Sequence, residues 1–221
     1  MLCGIYVLMT HKSTFLYKLV IEWMVHHALQ NNIHISWQNM MSDFEMAVKN
    51  ALEEIFHERL VWNGCYFHFS QAIQRKIQSL GLSTDYNDKN TLFSILVRKI
   101  RSLAFLPPAL VNESFELLMD AKYDDVCVEI NEEKVPLVDS FIEYFEAQWL
   151  RNEHITIRNW NVLSLDSYRT NNDSEAENLR LGTRITPAIA SNLFTFIIGI
   201  QNEHCYQSRT LFQFNNGARS R

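Results

Sequence analysis

The sequence predicts an α/β fold that carries an all-α insertion. In the first third of the chain, short apolar runs of strand length alternate with stretches whose apolar residues recur at helical spacing. From Asn90 to about Leu150 the strand signal fades while the helical spacing continues, which is the pattern of a sheet layer followed by packed helices. With 6 Gly and 4 Pro in 221 residues and no Pro/Gly/Ser-rich stretch, nothing reads as a linker, so one domain with a helical subdomain is expected. Its parts are core strands and helices over 1–89, the helical insertion over 90–158, and C-terminal core helices with a tail over 159–221.

Gly4 to Met9 has the length and apolarity of a buried strand. Phe15, Leu16, Leu19, Val20, Trp23, Met24 and Leu29 then mark a helix up to Gln30, and Ile33 to Met41 is a second strand-like run. A helix opens near Ser42, where Phe44, Ala47, Val48, Ala51, Leu52, Ile55 and Phe56 form one stripe. Leu60 to Phe67 reads as a third strand and Ser70 to Leu80 as a helix closed by Gly81. Further on, Leu92 to Leu106 is a helix stopped by Pro107 and Pro108, Leu110 to Ala121 a second, and Leu137 to Leu150 a third. The acidic stretch Tyr123 to Lys134 reads as a loop. A last helix pair, Asn172 to about Ile185 and Ala188 to about Glu203, precedes a polar tail.

The formal net charge of −5 argues against strong nonspecific nucleic-acid binding by the whole chain, yet the charge is segregated. Arg59 to Arg101 holds seven Lys or Arg against two Asp, whereas Asn112 to His154 holds three against twelve Asp or Glu. Arg75 with Lys76, and Arg98, Lys99 and Arg101, are therefore the candidate phosphate-contacting clusters, with ordinary solvated helix faces as the plainer explanation. Cys3, Cys65, Cys127 and Cys205 are scattered without a CxxC pair, so reduced thiols are expected, not a disulfide framework or a zinc ribbon. The longest apolar stretch, Leu193 to Ile200, is far below membrane-spanning length, and Leu2 to Met9 lacks the basic leader and cleavage site of a signal peptide. A soluble intracellular protein without a membrane partner is expected.

Two segments carry the chemistry. Asp43 lies where an apolar run gives way to a helix, within Ser42 to Glu45, and Cys65 and His68 form a CxxH pair at the end of the next strand. Each has a structural explanation. Ser42-x-x-Glu45 fits a capping box, as does Asn172-x-x-Glu175, and an Asp in a first turn suits the helix dipole. Cys65 and His68 could be zinc ligands, but a closed site takes four and no second pair accompanies them; His204 and Cys205 are adjacent and remote. A buried Cys65 with a hydrogen-bonded His68 is the structural alternative.

Taken together, Ser42 to Glu45, the Cys65/His68 pair about twenty residues on, Leu103 to Pro107, Tyr144 to Trp149, Asn159 to Asn161 and Arg169 to Glu175 resemble, in that order, the catalytic core of Mutator-like element (MULE) DNA transposases. The resemblance spans roughly Gly4 to Glu203. It implies an RNase H-like core whose three carboxylates hold Mg²⁺ or Mn²⁺ for DNA strand cleavage and transfer, with an all-α insertion before the last catalytic helix. Asp43 matches the second Asp and Glu175 the Glu, with Glu177 the next candidate; Asn178 stands where many relatives have His. Gly4 to Met9 resembles the third strand, so strands one and two and the first Asp are expected to be missing: no Asp or Glu occurs before Glu22. Loss of one carboxylate weakens the hold on the cations, so the chain is expected to be inactive alone. The resemblance also implies a nuclear location. The alternative is a noncatalytic module that binds DNA, a protein partner or a second copy of itself.

Overall fold

In the computed structural model, which describes residue 5 and residues 7–165 and 193–217, the sheet reduces to two short parallel strands, β1 (Asn39–Ser42) and β2 (Val61–Gly64). They run in register from Asn39 opposite Val61 to Ser42 opposite Gly64. The α/β class therefore holds, in a molecule that is mostly helical. Three strand expectations need correction. Ile5 and residues 7–9 lie in no strand, residues 33–38 are irregular, and β2 stops at Gly64, before Phe67.

Two compact units are distinguished, Lys12–Thr170 and a second made of Met1–His11 with Asn171–Arg221. The first begins with α1 (Thr14–Gln30), whose N-cap Ser13 accepts a hydrogen bond from the Leu16 amide at 3.3 Å. The crossover between the strands is α2 (Met46–Phe56), which packs on α1. Ile21, Ala51, Leu52 and Trp62 form the small core between these helices and the sheet.

Helices make up the larger core. After β2 come α3 (Tyr66–Ser79), the short α4 (Ser83–Asn87), α5 (Leu92–Ser102), α6 (Val111–Glu129), α7 (Val135–Phe145) and the short α8 (Ile157–Trp160). Gly81, at φ +75°, turns the chain out of α3 in the left-handed conformation that a helix stop needs. Thr91 caps α5 by accepting from the Ser94 amide, and the chain then tightens into a 3₁₀ turn, Leu103–Phe105, before Pro107. The acidic stretch expected as a loop is largely helical. α6 continues to Glu129 because its buried Val111, Phe115 and Val126 keep one face apolar, while Asp124 and Asp125 point outward.

Aromatic rings fill this core. Phe69 stacks on Trp160 with centroids 4.9 Å apart and planes 3° from parallel, and Trp149 meets Phe69 edge-on at 4.8 Å. Hydrogen bonds fasten the segments around them. Asn159 Nδ2 donates to the Trp62 carbonyl at 3.1 Å, Trp160 Nε1 to the Trp149 carbonyl at 2.8 Å, and Asn161 Nδ2 to the Leu106 carbonyl at 2.7 Å. The Val162 amide closes the set on the Ala104 carbonyl at 2.9 Å.

The helix described in the second unit is α9 (Leu193–Asn215), which runs on through the segment expected to be a polar tail. Its side chains support that length: Gln207 Nε2 donates to Glu203 Oε1 and Thr210 Oγ1 to the Tyr206 carbonyl, both at helical spacing. Gly217, at φ +85°, follows its last turn. No helix among the described residues is long and apolar enough to cross a membrane. The expected helix from Asn172 to Ile185 lies outside the described residues.

Candidate functional site

The turn between β1 and α2 carries Asp43. Ser42 fixes the approach to it: its hydroxyl accepts from Trp62 Nε1 at 2.9 Å and donates to the Asp43 carbonyl at 2.8 Å, and its own carbonyl accepts the Cys65 amide. The capping box expected at Ser42 does not form, because the helix starts later. Glu45 is the N-cap residue of α2, and its side chain makes no capping bond. Its carboxylate instead binds Lys12 Nζ at 2.7 Å. Tyr17 lies close enough that burial, and then Glu45, push its pKa up to about 12. Lys12 is likewise held above its ordinary value by its bond to Glu45.

Cys65 is not the start of a strand-end motif. It is the N-cap residue of α3, fully buried, and His68 occupies the first turn of that helix, half-buried. The helix separates the pair in role: Cys65 points into the core, while His68 faces a cavity of about 470 Å³ that Asp43 also lines. Gln71 and Arg75, three and seven residues after His68, share that helix face and that cavity.

The opposite wall comes from the end of α7. There the chain widens into a π turn, Glu146–Leu150, in which the Arg151 amide bonds the Glu146 carbonyl at 2.8 Å. The extra residue brings Gln148 to the cavity while keeping Trp149 buried against Phe44 and Phe69. Tyr144, its pKa raised mainly by burial, and Asn152 and His154 complete the polar lining. Gln148 falls within the Tyr144 to Trp149 segment, while nothing in the sequence pattern marks Asn152 or His154. Gln71 could have been found, since it stands on the His68/Arg75 face.

The cavity thus presents one carboxylate with imidazole, amide and guanidinium groups. Glu45 also lines it, but its charge is engaged by Lys12. Among the described residues no three His, Cys, Asp or Glu side chains converge as metal ligands, and Arg75 brings a like charge to any cation. The described residues alone therefore do not fit a divalent metal. Glu175, its Arg169 to Asn172 lead-in and Glu177 lie outside the described residues.

Of the basic candidates, Arg75 alone reaches this cavity. Lys76 Nζ sits 5.2 Å from the Tyr144 ring centroid. Arg98 is held by the Ser94 and Lys89 carbonyls and Arg101 by the Tyr86 hydroxyl, while Lys99 is exposed on α5. No family model, curated protein or solved structure matches the chain.

Proposed function

We propose that the chain is a transposase-derived protein, related to the RNase H-like core of Mutator-like DNA transposases, that by itself neither cleaves nor joins DNA. One observation carries the proposal: Asp43, His68 and Arg75, drawn from segments that the family resemblance or the charge pattern singled out, open into the same cavity. Three further resembling segments support it. Asn159 to Asn161 bonds to both of the others, to Leu103–Pro107 through the Leu106 carbonyl and to Tyr144–Trp149 through the Trp149 carbonyl. In this reading Asp43 and Glu175 are the family-equivalent carboxylates, and the Mg²⁺ or Mn²⁺ that the resemblance implies is not bound tightly. The alternative, a noncatalytic DNA- or protein-binding module, draws on Arg75 and Lys99, which are exposed and without an ion pair among the described residues.

Incubation with terminal-repeat DNA and either cation should yield no cleaved or joined product. Turnover abolished by Asp43→Asn would overturn the inactivity. Descent is tested separately, by an experimental structure that places the Asp43 and Glu175 carboxylates within roughly 4 to 8 Å, a span two cations can bridge. Carboxylates on opposite faces would remove Glu175 and make Glu177 the next candidate.

A further inference from the structure

A second cavity, about 860 Å³, forms where the end of α2, the turn into β2 and helix α8 meet, wholly within the Lys12–Thr170 unit. Its polar wall consists of Glu53, His57, Arg59, Thr156, Arg158 and Asn159. Glu53 is already neutralised by Lys49, whose Nζ lies 2.5 Å from its carboxylate. Asn159 is used structurally: it accepts from the Thr156 amide and hydroxyl and donates to the Trp62 carbonyl, 97 positions away. That bond ties α8 to β2 and so fixes Arg158 and Arg59 around one opening.

Both guanidiniums are exposed, and neither has a hydrogen-bond or ion-pair partner among the described residues. The contrast with Arg98 and Arg101, each bonded within the chain, is direct. Two cations without partners on the wall of one cleft, where Lys49 offsets the Glu53 carboxylate, make that cleft attractive to an anion. A second observation concerns His57. Its backbone sits at φ 50°, ψ −138°, a region that residues with a Cβ rarely adopt, and this turn sets the chain on its path past Arg59.

We propose that this cleft binds a phosphate ester, with Arg59 and Arg158 as the paired donors and His57 as a third. Two forked, permanently charged guanidiniums match the geometry of phosphate oxygens better than they match a single carboxylate. The volume exceeds what one phosphate needs, and the remaining wall includes the exposed apolar Val61, which suits a sugar or base. The ligand is therefore a nucleotide unit, either free or within a strand. The site stands on these residues whether or not the chain descends from a transposase.

The test uses the full chain and follows the arginine Nε–Hε signals by NMR during titration with inorganic phosphate, a nucleoside monophosphate and a short single-stranded DNA. The Arg59 and Arg158 signals should shift saturably, and those of Arg98 and Arg101 should stay in place. Arg59→Gln and Arg158→Gln should each weaken binding by about tenfold, Arg158→Lys by less, and Lys122→Gln on α6 not at all. Saturation by the monophosphate assigns a free nucleotide. Binding by the oligonucleotide alone assigns a strand, and each Gln variant should then lower the salt slope by about one. If no phosphate compound moves the two wild-type signals, or if an acidic peptide of equal charge binds more tightly than any of them, the proposal is wrong. The wild-type titration decides the matter even where a variant fails to fold.

Discussion

The two cores of the Lys12–Thr170 unit are built differently. The helical core is dense with aromatic rings at or near zero exposure and is crossed by hydrogen bonds from Asn159, Trp160 and Asn161. The sheet core has four buried residues, two four-residue strands, and apolar side chains such as Phe15, Leu19 and Trp23 of α1 still exposed. Two short strands with one crossover helix are marginal by themselves. The helical core therefore holds the sheet, and the turn that carries Asp43, in place. Two connections do this: the Asn159 bond to the β2 backbone, and Phe44, which meets Trp62 of the sheet and Trp149 of the helices edge-on.

Trp160→Ala is the most severe way to test that dependence. It removes the stack on Phe69, the bond to the Trp149 carbonyl and a fully buried ring, so it should cost about 3 to 5 kcal/mol in chemical denaturation. If the sheet depends on the helical core, amide exchange in β1 and β2 should accelerate along with exchange in α3. Strands that keep their protection while the helices lose theirs would show the two cores to be independent.

Gly64 sharpens the comparison at the junction itself. A Cβ there would lie 2.2 Å from Phe44 Cε1, so the ring of the residue next to Asp43 fits only against a glycine. Gly64→Ala should destabilise by about 1 to 3 kcal/mol, the usual cost of overpacking. In a Phe44→Ala background most of that added cost should vanish, giving a coupling that a double-mutant cycle measures directly. Simple additivity would mean that the ring is not what Gly64 accommodates.

The helical core was more legible in the sequence than the sheet, for a physical reason. Long stripes such as Phe93, Leu96, Val97 and Ile100 repeat their period several times, whereas four-residue strands give hardly more than two alternations. The junction at Cys65 was misplaced because β2 and α3 are both buried there, so the apolar run continues through the change of period. The loop expected over Tyr123 to Lys134 followed its charges; the helix followed Val126, which stays inside. At the candidate site, Asp43, His68 and Arg75 were legible as motif or charge. The π turn lay within the Tyr144 to Trp149 segment, but the loop residues Asn152 and His154 were not legible, since only the tertiary fold brings them near.

The smallest expected effect separates the two cores by pH. Tyr17, on α1 beside the sheet core, has its pKa raised to about 12 by burial first and by the nearby Glu45 carboxylate second. A tyrosine in the unfolded chain titrates near 10, so the folded state holds the phenol proton more tightly. Its contribution to stability is complete below about pH 10 and is lost as pH rises through about 12, since there the unfolded chain has already released a proton that the folded chain must still give up. Tyr123, hydrogen-bonded to Asp139 in the helical core, is raised for a different first cause, that bond, and loses stability in the same direction. The two are distinguished by variants. Tyr17→Phe should flatten part of the fall in melting temperature above pH 10 and remove one late-titrating phenol from the ultraviolet difference spectrum, leaving those of Tyr123 and Tyr144 in place. An alkaline profile unchanged by Tyr17→Phe would mean that Glu45 serves only Lys12, and that the partly buried Tyr17 phenol does not titrate late.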